Sequence, residues 1–148
     1  MSDDLYREVI LDHHRHPRCT APLKHPNAHS SGMNPACGDE VSVNLDIQGG
    51  AIRDIQVRGK GCAISTAAGS MFADRVKGMT TSELKTLAAE VRAMLTSGKG
   101  PGPDTLGDLE ALLGVSRFPV RVKCAMLPIA TALEAVASFE DDNSEKAS

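Results

Sequence analysis

Three short segments carry residues able to do chemistry: Asn34-Pro-Ala-Cys37-Gly-Asp39, Gly59-Lys-Gly61-Cys62-Ala-Ile-Ser65 and Arg121-Val-Lys-Cys124. Three thiolates and one carboxylate make a complete four-coordinate shell for zinc, or an anchor for an iron–sulfur cluster. The cysteines stand 25 and 62 residues apart, so the donors belong to separate elements that the fold must bring together. That spacing excludes a self-contained zinc finger built from two close pairs. Cys37, Asp39, Cys62 and Cys124 are the candidate metal ligands.

Each donor has a competing, bland reading. An isolated cysteine is usually a small buried hydrophobe, but three in glycine-flanked contexts at element edges are hard to explain as packing alone. Asp39 could simply cap the turn after Gly38. Its place two residues from Cys37 also lets both side chains reach one metal. Carboxylate is the hardest of the four donors against a borderline-soft ion, which makes Asp39 the weak point of a shell that must open. Cys62 precedes a predicted helix, where the positive helix end favours thiolate. Pro128, four residues beyond Cys124, lacks the N–H that its carbonyl would bond. The spacing therefore predicts that the last helix starts after Cys124 or kinks there, and that Cys124 also faces a helix N-terminus. Cys19 with His13, His14 and His16 nearby suggests a second metal site, but scattered histidines at a helix end are usually solvated. Tyr6 and residues 12–16 are expected to pack the first helix or to touch a partner.

The elements that must position these groups follow from periodicity. Ser2 is expected to cap a helix with Leu5, Val9 and Leu11 near one face, before Pro17 stops it. Val41, Val43, Leu45 and Ile47 alternate with polar residues, Gly49-Gly50 turns the chain, and Ile55 and Val57 alternate again. This predicts an antiparallel hairpin that the first cysteine enters and the second leaves. A helix runs from Cys62 to about Lys77, with Gly78 as its stop. Thr80 and Glu83 form a capping-box pattern opening a helix with Leu84, Leu87, Ala88, Val91 and Leu95 as its apolar stripe and Gly98 at its end. Leu106–Leu113 reads as a short helix. Val122, Met126, Ile129, Leu133 and Val136 recur at helical spacing in the last one. A small antiparallel sheet packed against several helices gives an α+β sandwich.

At 148 residues the chain is long enough for one domain burying about 68–70% of its unfolded surface. A net charge of −3 and only four aromatic residues, one Tyr and three Phe, argue against a nucleic-acid partner. No apolar run reaches ~18 residues and the first residues lack a basic-then-apolar signal, so a cytoplasmic protein without membrane contact is expected. Four cysteines in a reducing compartment then read as ligands or reactive thiols, not disulfides. The segment 140–148 reads as a disordered tail behind a single domain over 1–139.

With these motifs in this order, the chain resembles the iron–sulfur assembly proteins of the IscU and NifU N-terminal type, most closely the SufU branch. The likeness runs from Leu5-Tyr-Arg-Glu-Val-Ile-Leu-Asp-His13 and Pro17-Arg18 to the helix around Cys124. Residues 97–116 resemble the SufU insertion before the last cysteine. IscU proteins place a histidine before that cysteine and a Leu-Pro-Pro-Val-Lys segment upstream; here stand Lys123 and Arg117-Phe-Pro-Val-Arg121. The resemblance implies a third strand, although 28–32 reads poorly as one. It also implies a zinc-dependent sulfurtransferase whose Cys37 accepts persulfide sulfur from a SufS-like cysteine desulfurase, with a SUF scaffold complex downstream. A desulfurase histidine would replace the departing thiolate, and Arg121 matches an arginine that could stabilise persulfide charge, against a plain surface salt bridge. The insertion is expected to help form the desulfurase-docking face. Two alternatives stay open: a scaffold that assembles a [2Fe–2S] cluster on the same ligands, and a structural zinc module. Cys19 departs from relatives, which usually carry Asn there.

Overall fold

A computed structural model describes residues 3–147, and side chains over 4–143. Its order is α1 (Asp3–Arg15), β1 (Ala28–Asn34), β2 (Asp39–Gln48), β3 (Ala51–Lys60), α2 (Ala63–Val76), α3 (Thr81–Ser97), α4 (Pro103–Leu106), a 3₁₀ segment (Gly107–Val115) and α5 (Pro119–Ala147). The three strands form one antiparallel sheet in the order β1-β2-β3. The architecture is the expected α+β fold. The cap expected at Ser2 lies outside the described residues.

The hairpin forms because β2 alternates strictly: Val41, Val43, Leu45 and Ile47 are buried while Ser42, Asn44 and Asp46 face outward. Val43 pairs with Val57 and Leu45 with Ile55, so the apolar sets share one face. Gly49 and Gly50 both adopt positive φ, 59° and 78°, as the two-residue turn matching strand twist requires. The third strand implied by the family likeness is present as β1. Its inward positions Ser30, Gly32 and Asn34 carry no apolar alternation. A Cβ at Gly32 would collide with the Thr131 hydroxyl of α5, so the missing side chain is what lets the helix lie on the strand. Asn27 ties the strand entry down, its amide donating to the Ile47 carbonyl and accepting the Ile47 N–H, each at 2.8 Å.

The apolar face of the sheet is covered by α5, which also packs on α2 and α3. The continuous apolar helix 119–143 has the length and composition to cross a membrane, but its buried face of Ala125, Ile129, Ala132, Ala135 and Val136 is core. Val122, Met126 and Leu133, expected in that stripe, are only half-buried, because small residues set the close face against the sheet. Pro128 neither starts the helix nor ends it: α5 begins at Pro119 and continues past it. Cys124 is therefore inside the helix, not at its N-terminus as expected. Glu140 onward, expected as a tail, continues α5 to Ala147; extending an existing helix through Glu, Lys and Ala costs little.

The capping box of α3 is complete, with Thr80 accepting from the Glu83 N–H and Glu83 accepting from the Thr80 N–H. After Gly98, at φ 74°, the chain returns through α4 into the 3₁₀ segment. The single α-helix expected over Leu106–Leu113 is not formed. Gly107 at φ 58° breaks it, and Leu106, Leu109, Leu112 and Val115 repeat every three residues, the 3₁₀ period. All four are buried in the core, so this region is no surface decoration.

Candidate metal centre

Four elements deliver the four donors to one end of the sheet. Cys37 sits in the β1–β2 turn, where the Asn34 carbonyl accepts the N–H groups of Cys37 (3.2 Å) and Gly38 (2.9 Å) and its side-chain oxygen accepts from Ala36. Gly38 takes φ 71° with open space around it. Asp39, the first residue of β2, is fully buried, and its Oδ1 accepts the Cys62 N–H at 2.7 Å. Cys62 is the N-cap of α2, and its Sγ accepts the Ser65 N–H at 3.5 Å. The helix-end reading thus holds for Cys62. Cys124 is buried on α5, with its Sγ 3.3 Å from that of Cys37.

Cys37, Asp39 and Cys124 present donor atoms all within 4.8 Å of one another. The Cys62 thiol lies beside them, 3.6 Å from Asp39 Oδ2. Burial pushes the Cys124 thiol far above the usual thiol range, and hydrogen bonds with Asp39, Cys37 and Cys62 push it further. A divalent ion inverts that logic and deprotonates coordinating thiols. Cys62 stands outside the mutually close trio and joins it through Asp39; two sulfurs and one buried carboxylate, with this third sulfur alongside, fit zinc, for which four sulfur, nitrogen or oxygen donors suffice, or an iron–sulfur centre.

Arg121 lies on the exposed rim of an open recess of about 500 Å³, whose lining includes Cys37, Cys62, Cys124, Phe118 and Val120. Among the described residues its guanidinium has no ion-pair partner, so the salt-bridge reading does not apply. Phe118 and Val120, given no role by the sequence beyond the Arg117–Arg121 segment, are 51% and 62% exposed at this mouth. Gly61 is a second residue missed: a Cβ there would collide with Asp39 Oδ1, so only glycine lets the carboxylate reach Cys62. Its signal was the glycine on either side of Lys60.

The second histidine site does not form. Among the described residues, neither Cys19 nor any histidine joins a group placed to hold a metal. His14 and His16 are exposed, as solvated histidines would be, while His13 is buried and packs the first helix, as expected of this stretch, by bridging two other elements. It lies 2.7 Å from Ser70 Oγ on α2 and 2.8 Å from Asp108 of the 3₁₀ segment. Cys19 holds φ 58° and its carbonyl accepts the Val57 N–H at 2.9 Å. That left-handed region is one in which asparagine is enriched and cysteine is not.

Comparison with known proteins agrees with the geometry. Residues 5–145 match the model of the NifU-like N-terminal domain. The chain is 35% identical to the zinc-dependent sulfurtransferase SufU of Bacillus subtilis, over 95% of both chains. It is 36% identical to the iron–sulfur cluster assembly scaffold protein IscU of Streptococcus pyogenes, over 89% of this chain and 82% of the other. Among solved structures it resembles FiSufU of Fervidobacterium islandicum AW-1, described as a candidate scaffold protein for the SUF system. There the TM-score is 0.81 and the identity 29%, over 92% of this chain and 99% of that one.

Proposed function

The chain belongs to the NifU-like N-terminal domain family, and from that premise we propose that it is a cytoplasmic, zinc-dependent sulfur acceptor served by a cysteine desulfurase. The observation that carries this reading is the convergence of Cys37, Asp39 and Cys124 within 4.8 Å, with Cys62 against Asp39, at the base of an open recess. Zinc held by Cys37, Asp39, Cys62 and Cys124 would keep the thiols ionised at neutral pH.

Cys37 is the acceptor. It is half-buried on a surface turn beside Gly38, which has open space around it, whereas Cys124 is buried inside a helix. Its thiolate attacks the outer sulfur of the desulfurase persulfide, the sulfur–sulfur bond breaks, and the desulfurase cysteine leaves as thiolate. Cys37 then carries the persulfide, and the unpaired Arg121 at the recess mouth offsets its negative charge. Asp39 orients Cys62 by accepting its backbone N–H at 2.7 Å. The sulfur passes onward to a scaffold complex of the SUF system.

A second reading, assembly of a [2Fe–2S] cluster on the same residues, draws support from the equal likeness to a protein named as an IscU scaffold. Metal analysis with an ultraviolet–visible spectrum of gently purified protein separates the two. Colourless protein with one zinc, which stimulates cysteine turnover by a desulfurase, supports sulfur acceptance. Brown protein with iron and sulfide and no stimulation refutes it.

A further inference from the structure

The turn that carries Cys37 leaves one polar atom idle. Asn34 closes β1, and both of its oxygens are taken: the carbonyl accepts the N–H groups of Cys37 and Gly38, and Oδ1 accepts the Ala36 N–H at 3.2 Å. That side-chain bond fixes the orientation of the amide. Its Nδ2 is enclosed by protein, yet among the described residues it donates to nothing. An enclosed amide donor normally has a partner, and leaving it unpaired is costly. Asn34 stands on the inner face of β1, opposite Asp39 in the sheet. Two residues earlier on that face, a Cβ at Gly32 would meet Leu127 and Thr131 of α5. Beyond Asn34, Cys37 meets Cys124, one helical turn before Leu127, with the sulfurs 3.3 Å apart. Asn34 therefore lies between these two contacts, about 7 Å along the strand from Gly32, on the side of the thiol cluster that α5 covers. It is not among the residues lining the open recess that Arg121 rims.

We infer that the Asn34 amide is the donor that holds the outer sulfur of the Cys37 persulfide after transfer, an inference that rests on Cys37 being the sulfur acceptor. A persulfide anion accepts a hydrogen bond far better than a neutral thiol, so the idle donor gains its partner only in the loaded state. The outer sulfur stands one sulfur–sulfur bond, about 2 Å, beyond Sγ, and rotation of the Cys37 side chain carries it from the mouth to the enclosed side. Arg121 meets the sulfur as it arrives, and Asn34 keeps it afterwards where reductants reach it less. No covalent bond changes in this step, and the proton stays on nitrogen.

The test charges the full zinc-loaded chain and its Asn34→Asp and Asn34→Ser variants with a cysteine desulfurase and cysteine. After removal of both, mass spectrometry follows the Cys37 persulfide as a fixed concentration of dithiothreitol reduces it. Both substitutions keep an oxygen for the Ala36 N–H and remove the amide donor; aspartate adds a charge and serine does not. Both variants should lose the persulfide roughly tenfold faster than the unsubstituted chain, with zinc content and thermal unfolding unchanged. Faster loss in only one of the two overturns the inference, because charge or turn geometry would then be the cause. So does loss at the unsubstituted rate in both, or faster loss that comes with lost zinc or stability, the mark of a merely structural residue. An unsubstituted chain that takes no persulfide on Cys37 overturns the sulfur-acceptor reading itself, and this inference with it.

Discussion

Replacing Gly61 by alanine tests whether the buried carboxylate is held by the shape of the backbone beside it. The new methyl group would collide with Asp39 Oδ1 and stand 2.8 Å from its Cγ and 2.9 Å from its Cα. The carboxylate must therefore move and release the Cys62 N–H that it accepts at 2.7 Å. A buried donor left unsatisfied costs about 1–3 kcal/mol. Gly61 also holds φ 156°, which side chains seldom adopt, adding about 1 kcal/mol. A loss of about 2–4 kcal/mol is expected, which in a chain of this size lowers Tm by about 5–15 °C. Gly50→Ala is the control. Its φ of 78° carries the conformational cost, but no atom lies within 4 Å of the added methyl group. Thermal unfolding of both metal-free variants by circular dichroism gives the stability difference. Zinc transfer to a chromogenic chelator then reports the site, and Gly61→Ala should lose zinc faster than Gly50→Ala. Equal stability losses and equal zinc retention would refute the reasoning.

Cys37→Ser should abolish stimulation of a cysteine desulfurase, while Cys19→Ser leaves it unchanged; equal losses in that turnover assay would mean that the acceptor is misassigned. Burial raises the Cys124 and Cys19 thiols above their ordinary value of 9.0. Their stabilisation of the metal-free protein is therefore complete below that pH and is lost as pH rises through the folded values, because the unfolded thiols ionise first. Urea midpoints at about pH 8 and about pH 10 should show this fall, and a Cys19→Ser, Cys124→Ser double variant should flatten it. Leu109→Ala, deleting a fully buried side chain of the 3₁₀ segment, should cost about 2–5 kcal/mol in urea unfolding. Replacing 99–115 with a glycine–serine connector should for the same reason unfold the protein rather than only weaken docking.

What the sequence disclosed was local. The β2–β3 hairpin, the capping box at Thr80 and the stop at Gly98 are each written within a few residues, where alternation or a cap has a direct backbone consequence. The candidate ligands were legible because core packing alone seldom sets cysteines beside glycines at the edges of elements. The strand β1 was not, since its inward residues meet α5 through the absence of a side chain at Gly32, and absence has no periodicity. The 3₁₀ geometry was present as a repeat of three but masked by Leu113, which makes the stretch read as helical. His13 was hidden by distance: its partners lie 57 and 95 residues away, and no local pattern announces a buried bridge of that span. The small-residue face of α5 was outvoted by larger side chains that sit at its margins.

The place of Cys124 in α5 has a consequence for synthesis. As the chain leaves the ribosome, Cys37, Asp39 and Cys62 emerge well before the helix that completes their cluster. That same helix covers the apolar face of the sheet, so the hairpin and the three early donors wait together, uncovered, for the last fifth of the polypeptide. A metal ion captured during that interval would meet an unfinished cage and an exposed sheet at once. A product truncated before residue 124 would lack both the Cys124 thiol and the helix that closes the core.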